Sequence, residues 1–334
     1  MRVLSLSDLA EGRGPLVDVC LAIPALFLAK KDLAGAATLL ASIASMAGEY
    51  VPVSAENPAP DVFASLWFIR AGHLFNKAVM ADSAAEDGER TLFAETLLPL
   101  NKKILQQIIS ASSTAGVRMD DGGLLIPHAE KATQTLRLNA LWYSALESTG
   151  TDLKAAGDRV ADHFERLAGR FRRSFAKAYW SDAHGCIWTP ELRNNNGGGE
   201  GGTLPDADQL LLTFLCASPI PRTKQRQLLQ QVQAKSLPTG SRGVRMQHPV
   251  HGVVESPLHL MWLALGMVAS ADPPGTGVDE ARRLLAPLSA ARRQSSVEGS
   301  GGGVPAFVVP GEAFNGKADA ATTAEFLGAM ATLA

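Results

Sequence analysis

The chain has 334 residues, of which 46% are hydrophobic and 19% charged, with a formal net charge of -2. That balance excludes a disordered chain, and the near-neutral charge leaves no long-range field to gather nucleic acid or anionic lipid. The length suits one large domain or two moderate ones; a single domain over 1–334 is the expectation carried forward.

The N-terminal stretch Met1-Arg2-Val3-Leu4-Ser5-Leu6-Ser7-Asp8 lacks the apolar core and small-residue cleavage site of a secretory signal. The most apolar run, Leu16 to Ala29, contains Asp18 and Pro24. It falls short of the roughly 20 residues a membrane span needs, so it reads as a buried helix. Helical spacing of apolar residues predicts helices at 16–31, 33–47, 62–80, 88–114, 132–149, 152–179, 206–217, 221–235, 255–270, 278–294 and 319–333. Alternating β-branched runs are nearly absent, which makes the class all-α. These helices form consecutive pairs joined by short turns, with longer loops at 48–61, 116–131, 180–205, 236–254 and 295–318. The pattern predicts an (α/α)6 toroid of helical hairpins whose first helix is absent or very short, with its long loops gathered at one end, where a site forms. No internal repeat is visible, which disfavours a solenoid.

The glycine-rich stretches 194–202 and 299–303 lack the strand, lysine and helix context of a phosphate cradle and read as permissive loops. Cys20, Cys186 and Cys216 are odd in number and widely spaced, and Cys20 and Cys216 fall in apolar helical runs. Buried thiols in a reducing, cytoplasmic setting are expected. His248-Pro249-Val250-His251, with His259 downstream, has neither the spacing of a helical pair nor an acidic or thiol companion, so neither a metal nor any other cofactor is expected. Arg166, Arg170, Arg172, Arg173 and Lys177 share a helix with Phe171 and Phe175 and read as its solvated face.

Several motifs occur in a fixed order. Asp18 to Leu26 looks like a stretch in which Asp precedes a Thr-Met-Ile-Ser-Leu-Pro-Gly-Leu helix, although Pro15, Leu16 and Val17 replace the preceding Trp, Gly and Arg. Ala64 to Ile69 matches an Asp-Ala-Ser-Leu-Trp-Phe-Ile helix start, with Phe63 at the Asp position and Asp61 two residues earlier. Gly116-Val117-Arg118-Met119-Asp120-Asp121-Gly122-Gly123-Leu124-Leu125 is followed by Asn139-Ala140-Leu141-Trp142-Tyr143. Asp208-Gln209 opens a later helix, His251-Gly252-Val253-Val254-Glu255-Ser256-Pro257 stands where a His-x-Gly-Thr-Val-Trp-Pro-Trp signature would, and Gly311 to Gly316 aligns with Ser-Glu-Ile-Phe-Asp-Gly. Taken in order, these anchors make the chain resemble the C-terminal glucosidase domain of glycogen debranching enzymes, the amylo-alpha-1,6-glucosidase type.

The resemblance implies a six-hairpin toroid that hydrolyses α-glucan by inversion, with Glu312 as general base. The family's Thr-Trp-Met-Asp donor segment has no equivalent between Leu125 and Asn139, which leaves Asp121 or Glu130 as the acid. It further implies sugar contacts from Asp18, Asp61, Asp208, Gln209 and His251; His128 and His251, as polar groups on site-facing loops, and Trp188, the loop tryptophan suited to stacking, read as sugar contacts from the residues themselves. Each assignment has a plainer counterpart. Asp120 and Asp121 before Gly122-Gly123 form a turn signature in which Asp bonds its own backbone. Glu130 and Asp18 sit where helix starts favour acids, Asp18 as an N-cap. Glu312 after Pro310-Gly311 could serve as an exposed loop carboxylate, and Trp67, Trp142 and Trp262 fit the core. The missing donor and the lost tryptophans leave a catalytically degenerate carbohydrate-binding or protein-interaction module as the alternative.

Overall fold

A computed structural model describes residues 6–57, 59, 61–110, 116–127, 135–187, 207–237, 241, 243–248, 252–272, 276–297, 304–305 and 318–319. The chain divides into two compact units, residues 2–174 and residues 175–334 with Met1.

Residues 2–174 contain helices α1 (Leu6–Ala10), α2 (Leu16–Leu26), α3 (Leu33–Met46), α4 (Val62–Ala81), α5 (Asp87–Leu92), α6 (Leu98–Ile109) and α7 (Thr135–Ala155), with α8 (Ala161–Tyr179) beginning here. The five-residue α1 is the very short leading helix that the pairing pattern predicts. Helix α4 packs against both α2 and α7, and these three carry most of the core. In α7 nine consecutive residues, Leu138 to Leu146, are buried. A run longer than two helical turns leaves no solvent face, so α7 must be enclosed on all sides. Helix α8 is the opposite case: Phe164, Leu167, Ala168 and Phe171 form a buried stripe while Arg166, Arg170 and Arg173 are exposed. Its ring contact with α7, Tyr143 to Phe171 at 5.3 Å, fixes the stripe's direction. Arg172 Nε donates to the Tyr143 hydroxyl at 3.0 Å and that hydroxyl donates to Glu147 at 2.7 Å, while burial pushes the Tyr143 pKa up.

The predicted boundary between α7 and α8 is displaced. Gly150, which falls between the expected helices 132–149 and 152–179, lies inside α7, where an added Cβ would come within 3.6 Å of Phe164. It is a close-approach residue between two helices. The actual stop is Gly157 at φ +74, with Gly157 N bonded to Lys154 O and Asp158 N to Leu153 O, a Schellman end that needs the left-handed conformation. The predicted 88–114 helix is also interrupted. Pro99 has no N–H to give the carbonyl four residues back, and just upstream the helix widens into a π turn at Phe93–Leu97.

Residues 116–131, expected as an irregular loop, contain an antiparallel ribbon of β1 (Val117–Met119) and β2 (Leu125–Pro127). At its tip Asp120 N bonds Leu124 O at 2.9 Å, and Asp120 Oδ1 accepts from Leu124 N at 2.8 Å. The fully buried Asn139 side chain then accepts from Leu125 N and donates to Leu125 O, both at 2.8 Å, and also donates to Thr135 O at 2.9 Å. Trp142 Nε1 donates to Gly123 O at 3.0 Å. On the other side, a Cβ on Gly122 would fall 2.5 Å from Ser174 Oγ and one on Gly123 would fall 3.0 Å from Leu167. The ribbon is therefore wedged between α7 and α8.

Residues 175–334 contain ribbon β3 (Trp180–Ser181) with β4 (Cys186–Ile187), a 3-10 turn (Ala207–Leu210) running into α9 (Leu211–Phe214), and α10 (Arg222–Ser236). Then follow ribbon β5 (Val244–His248) with β6 (Gly252–Ser256), α11 (Pro257–Ser270), α12 (Val278–Val297) and ribbon β7 (Val304–Pro305) with β8 (Ala318–Asp319). Helix α11 is the hub, packed on α9, α10 and α12. A Cβ on Gly266 would lie 2.1 Å from Thr213 Oγ1 and 3.0 Å from Leu229, so only glycine allows the three helices to meet. Cys216, expected to be buried in a helix over 206–217, is exposed because α9 ends at Phe214. The helix expected at 319–333 lies outside the described residues, apart from Asp319 in β8.

Replacing Asn139 by Ala strands the amide and carbonyl of Leu125, which should lower stability by about 3 kcal/mol, whereas Trp142→Phe removes one bond and should cost about 1 kcal/mol. Urea midpoints at constant m-value measure both, and Asp121→Ala serves as the near-neutral control.

Candidate functional site

In residues 2–174 the candidate carboxylates sit at helix starts and at the ribbon tip. Asp18 is half-buried in the first turn of α2. It is not the N-cap that its place before an apolar run suggests. Leu16 N already bonds Val53 O at 2.8 Å, so the helix begins earlier, after Pro15 at φ -61. Its charge still favours the helix start. Asp18 and Arg70 both act on the buried Cys20 thiol, whose pKa is raised chiefly by burial, with Arg70 opposing the rise and Asp18 adding to it. Arg70, which also lies 5.2 Å over the Trp67 ring, was not singled out in the sequence. It supplies a guanidinium to the α2 and α4 pair even though Val17 stands where the resembling family has Arg.

Asp61 is the N-cap of α4, accepting from Phe63 N at 2.8 Å and Ala64 N at 3.5 Å. Asp120 is engaged by its own turn, while Asp121, one of the two candidate acids, is exposed beside it. His128, Glu130, Trp188, His251 and Glu312 lie outside the described residues. Trp67, Trp142 and Trp262 are buried, as their apolar runs imply.

Among the described residues of 175–334, a polar cluster forms where the 3-10 turn, the β5–β6 ribbon and the start of α11 meet. His259, with its side chain 4% exposed, bonds Asp208 Oδ1 through Nε2 at 3.0 Å and Ser256 Oγ through Nδ1 at 2.8 Å. A carboxylate only accepts, so a neutral His259 carries its proton on Nε2, and Ser256 donates to Nδ1. Ser256 is also the N-cap of α11, placed by its fixed position ahead of Pro257. The His259 ring meets Trp262 edge-on at 4.7 Å.

Gln209, fully buried, accepts from Ile187 N at 3.2 Å and so ties the turn to β4. Glu255, adjacent to Ser256 and nearly buried, faces Arg245 across the ribbon at 3.7 Å. Asp208 and Glu255 are thus two largely enclosed carboxylates on neighbouring elements, each steadied by a nitrogen group. By contrast Asp182, Asp272 and Asp279 in the same unit lie on the surface. Such a cluster can orient hydroxyl groups and hold a charge in place. The Asp208 to His259 pairing spans 51 positions and has no local sequence signal. The Ser256-Pro257 step before an apolar run was the legible part. Among the described residues no group of three or more His, Cys, Asp or Glu side chains gathers as a metal site requires, and no helix is long and apolar enough to cross a membrane.

No family model and no curated protein matches the sequence. Solved structures do match the fold. A rhamnosidase from Klebsiella oxytoca with rhamnose bound superposes with a TM-score of 0.59 at 12% identity, over 98% of this chain and 57% of that one. The chain therefore spans little more than half of that rhamnosidase. A wild-type glycosidase matches with a TM-score of 0.58 at 13% identity, over 96% of this chain and 87% of its own. A variant glycosidase in complex with glucose matches with a TM-score of 0.58 at 12% identity and the same coverage. The fold is mostly helical, built of helical hairpins as in the (α/α)6 glycosidases.

Truncating His259 to Ala leaves a mostly buried Asp208 carboxylate without its imidazole, and should lower stability by about 2–4 kcal/mol, read from chemical denaturation.

Proposed function

We propose that this protein is a carbohydrate-processing member of the helical-hairpin glycosidases that acts on α-glucan. The observation that carries the reading is the likeness of fold over nearly the whole chain to glycosidases, including structures described with rhamnose and with glucose. The Asp208–His259 pair, with the Gln209 amide beside it, supports it, because neutral sugars are held by groups of this donor and acceptor chemistry. The sequence resemblance to the debranching glucosidases supplies the finer part. That resemblance implies hydrolysis by inversion, with Glu312 as the base that activates water and Asp121 or Glu130 as the acid that protonates the leaving oxygen.

A second reading is a toroid that binds glucan without cleaving it. It is favoured by the use that several motif residues already have. Asp61 caps a helix, Asp120 closes a turn, and Asn139 and Trp142 hold the ribbon.

The test is hydrolysis of maltose, isomaltose and limit dextrin by the purified protein beside its Glu312→Gln variant, with the product anomer followed by NMR. The catalytic reading predicts release of the inverted anomer and a loss of about a thousandfold in the variant. Measurable dextrin binding with no hydrolysis would select the binding reading, and neither binding nor hydrolysis would contradict both.

A further inference from the structure

Helix α8 carries a feature that the proposed function does not use. His163, Arg166, Arg170 and Arg173 recur at i, i+3, i+7 and i+10, which at about 100° per residue confines them to an arc of about 80°. All four are exposed, on the face opposite the buried Phe164, Leu167 and Phe171. Arg159, also exposed, stands in the turn just ahead of the helix. From His163 to Arg173 the row runs about 15 Å at 1.5 Å per residue.

Among the described residues, no ion pair or hydrogen bond engages the side chains of Arg159, Arg166, Arg170 or Arg173. The neighbouring acids are used elsewhere: Glu165 pairs with Lys154, and Asp158 with Lys102. Asp162, exposed at the edge of the arc, is the other acid on the helix. Like charges at Arg166 and Arg170, and again at Arg170 and Arg173, repel one another, and Arg159 places a cation at the positive end of the helix dipole. The row therefore works against the helix until an anion covers it.

The face itself discriminates among anions. A helix that lies in a membrane surface needs apolar residues beside its cations, and the exposed large hydrophobic residues among those described, Met46, Met80 and Val253, lie on other elements. Single-stranded nucleic acid is held by aromatic platforms, whereas Phe164, Phe171, Phe175 and Tyr179 of α8 are buried. A second helix with a row of carboxylates fits, because both helices rise 1.5 Å per residue and the charges stay in register along the contact. The guanidinium fork donates two parallel hydrogen bonds to a carboxylate, which suits arginine to that partner.

We infer that the exposed arginine row of α8 is a docking surface for the acidic face of an α-helix on a partner protein. This surface does not depend on the proposed function. Exposed arginine–carboxylate pairs are individually weak, and a net charge of -2 adds no long-range attraction, so the contact is weak, short-ranged and salt-sensitive.

The experiment titrates the full chain with a helical peptide of about 20 residues, rich in alanine and stapled on one face to hold it helical, with glutamates at i, i+4, i+7 and i+11 on the other. Amide-resolved NMR should show saturable shifts at His163, Arg166, Arg170 and Arg173, and raising the ionic strength from about 0.05 to about 0.3 M should weaken binding by about threefold or more. The triple variant Arg166→Gln/Arg170→Gln/Arg173→Gln should weaken it by about fivefold or more, whereas Arg90→Gln, which removes an exposed cation from α5, should change it by less than about twofold. Unchanged circular dichroism and urea midpoints show that the variants fold. Amides of α8 that stay still at millimolar peptide would overturn the inference. Equal affinity for a peptide of the same composition with its glutamates dispersed around the helix would also overturn it, because only unspecific charge attraction would then remain. So would tighter binding to poly-uridylate or to phosphatidylserine vesicles than to the helical peptide, because the row would then answer phosphate.

Discussion

The amide of Asn139 is the constraint on which residues 2–174 depend. Its two ends pair with both the N–H and the C=O of Leu125, as a neighbouring strand would, and its buried position allows no water to substitute. The effect is to graft a short ribbon onto a helix. Trp142, about one turn further along α7, fastens the carbonyl of Gly123, and Asp120 closes the turn between them. Because Gly122 and Gly123 have no side chains, α8 can press on the ribbon from the other side. One sequence segment thereby sets the spacing of two helices and the position of the loop that leads into α7.

The same logic, applied to α11, organises residues 175–334. Ser256 caps the helix and orients His259, His259 holds Asp208, and Gln209 beside it secures β4. These polar groups fix the fold, and the sugar contacts proposed above lie on the same few elements. A substitution in this cluster changes stability, so an effect on the proposed recognition is separable only if binding is measured on variants shown to be folded.

Much of the helical scaffold was legible because burial leaves a periodic trace. The largely apolar run of α7, interrupted by Asn139 and Ser144, and the striped pattern of α8 announce an enclosed helix and a helix with one solvated face. Glycine was less legible, since its two uses look alike in a sequence: Gly150 permits close packing in mid-helix, whereas Gly157 ends the helix by its positive φ. The ribbons were missed because strands of two to five residues carry too few positions to establish alternation. The turn that Asp120-Asp121-Gly122-Gly123 announces is present, and what the motif did not show is that Asn139 and Trp142 clamp it. The link from Asp208 to His259 could not be read, because it joins distant positions through the fold alone.

The 117–127 ribbon is a fixed part of the scaffold, and the proposal joined to it is that glucan is met by the cluster at the start of α11. Residue-resolved amide hydrogen exchange, with and without saturating limit dextrin, tests it most directly. The account predicts that the Leu124 and Leu125 amides exchange as slowly as the core of α7 in both conditions, while Ile187, Gln209 and Val254 become slower when dextrin is added. Fast exchange at Leu125 in the free protein, with protection appearing there only on addition of dextrin, would contradict it.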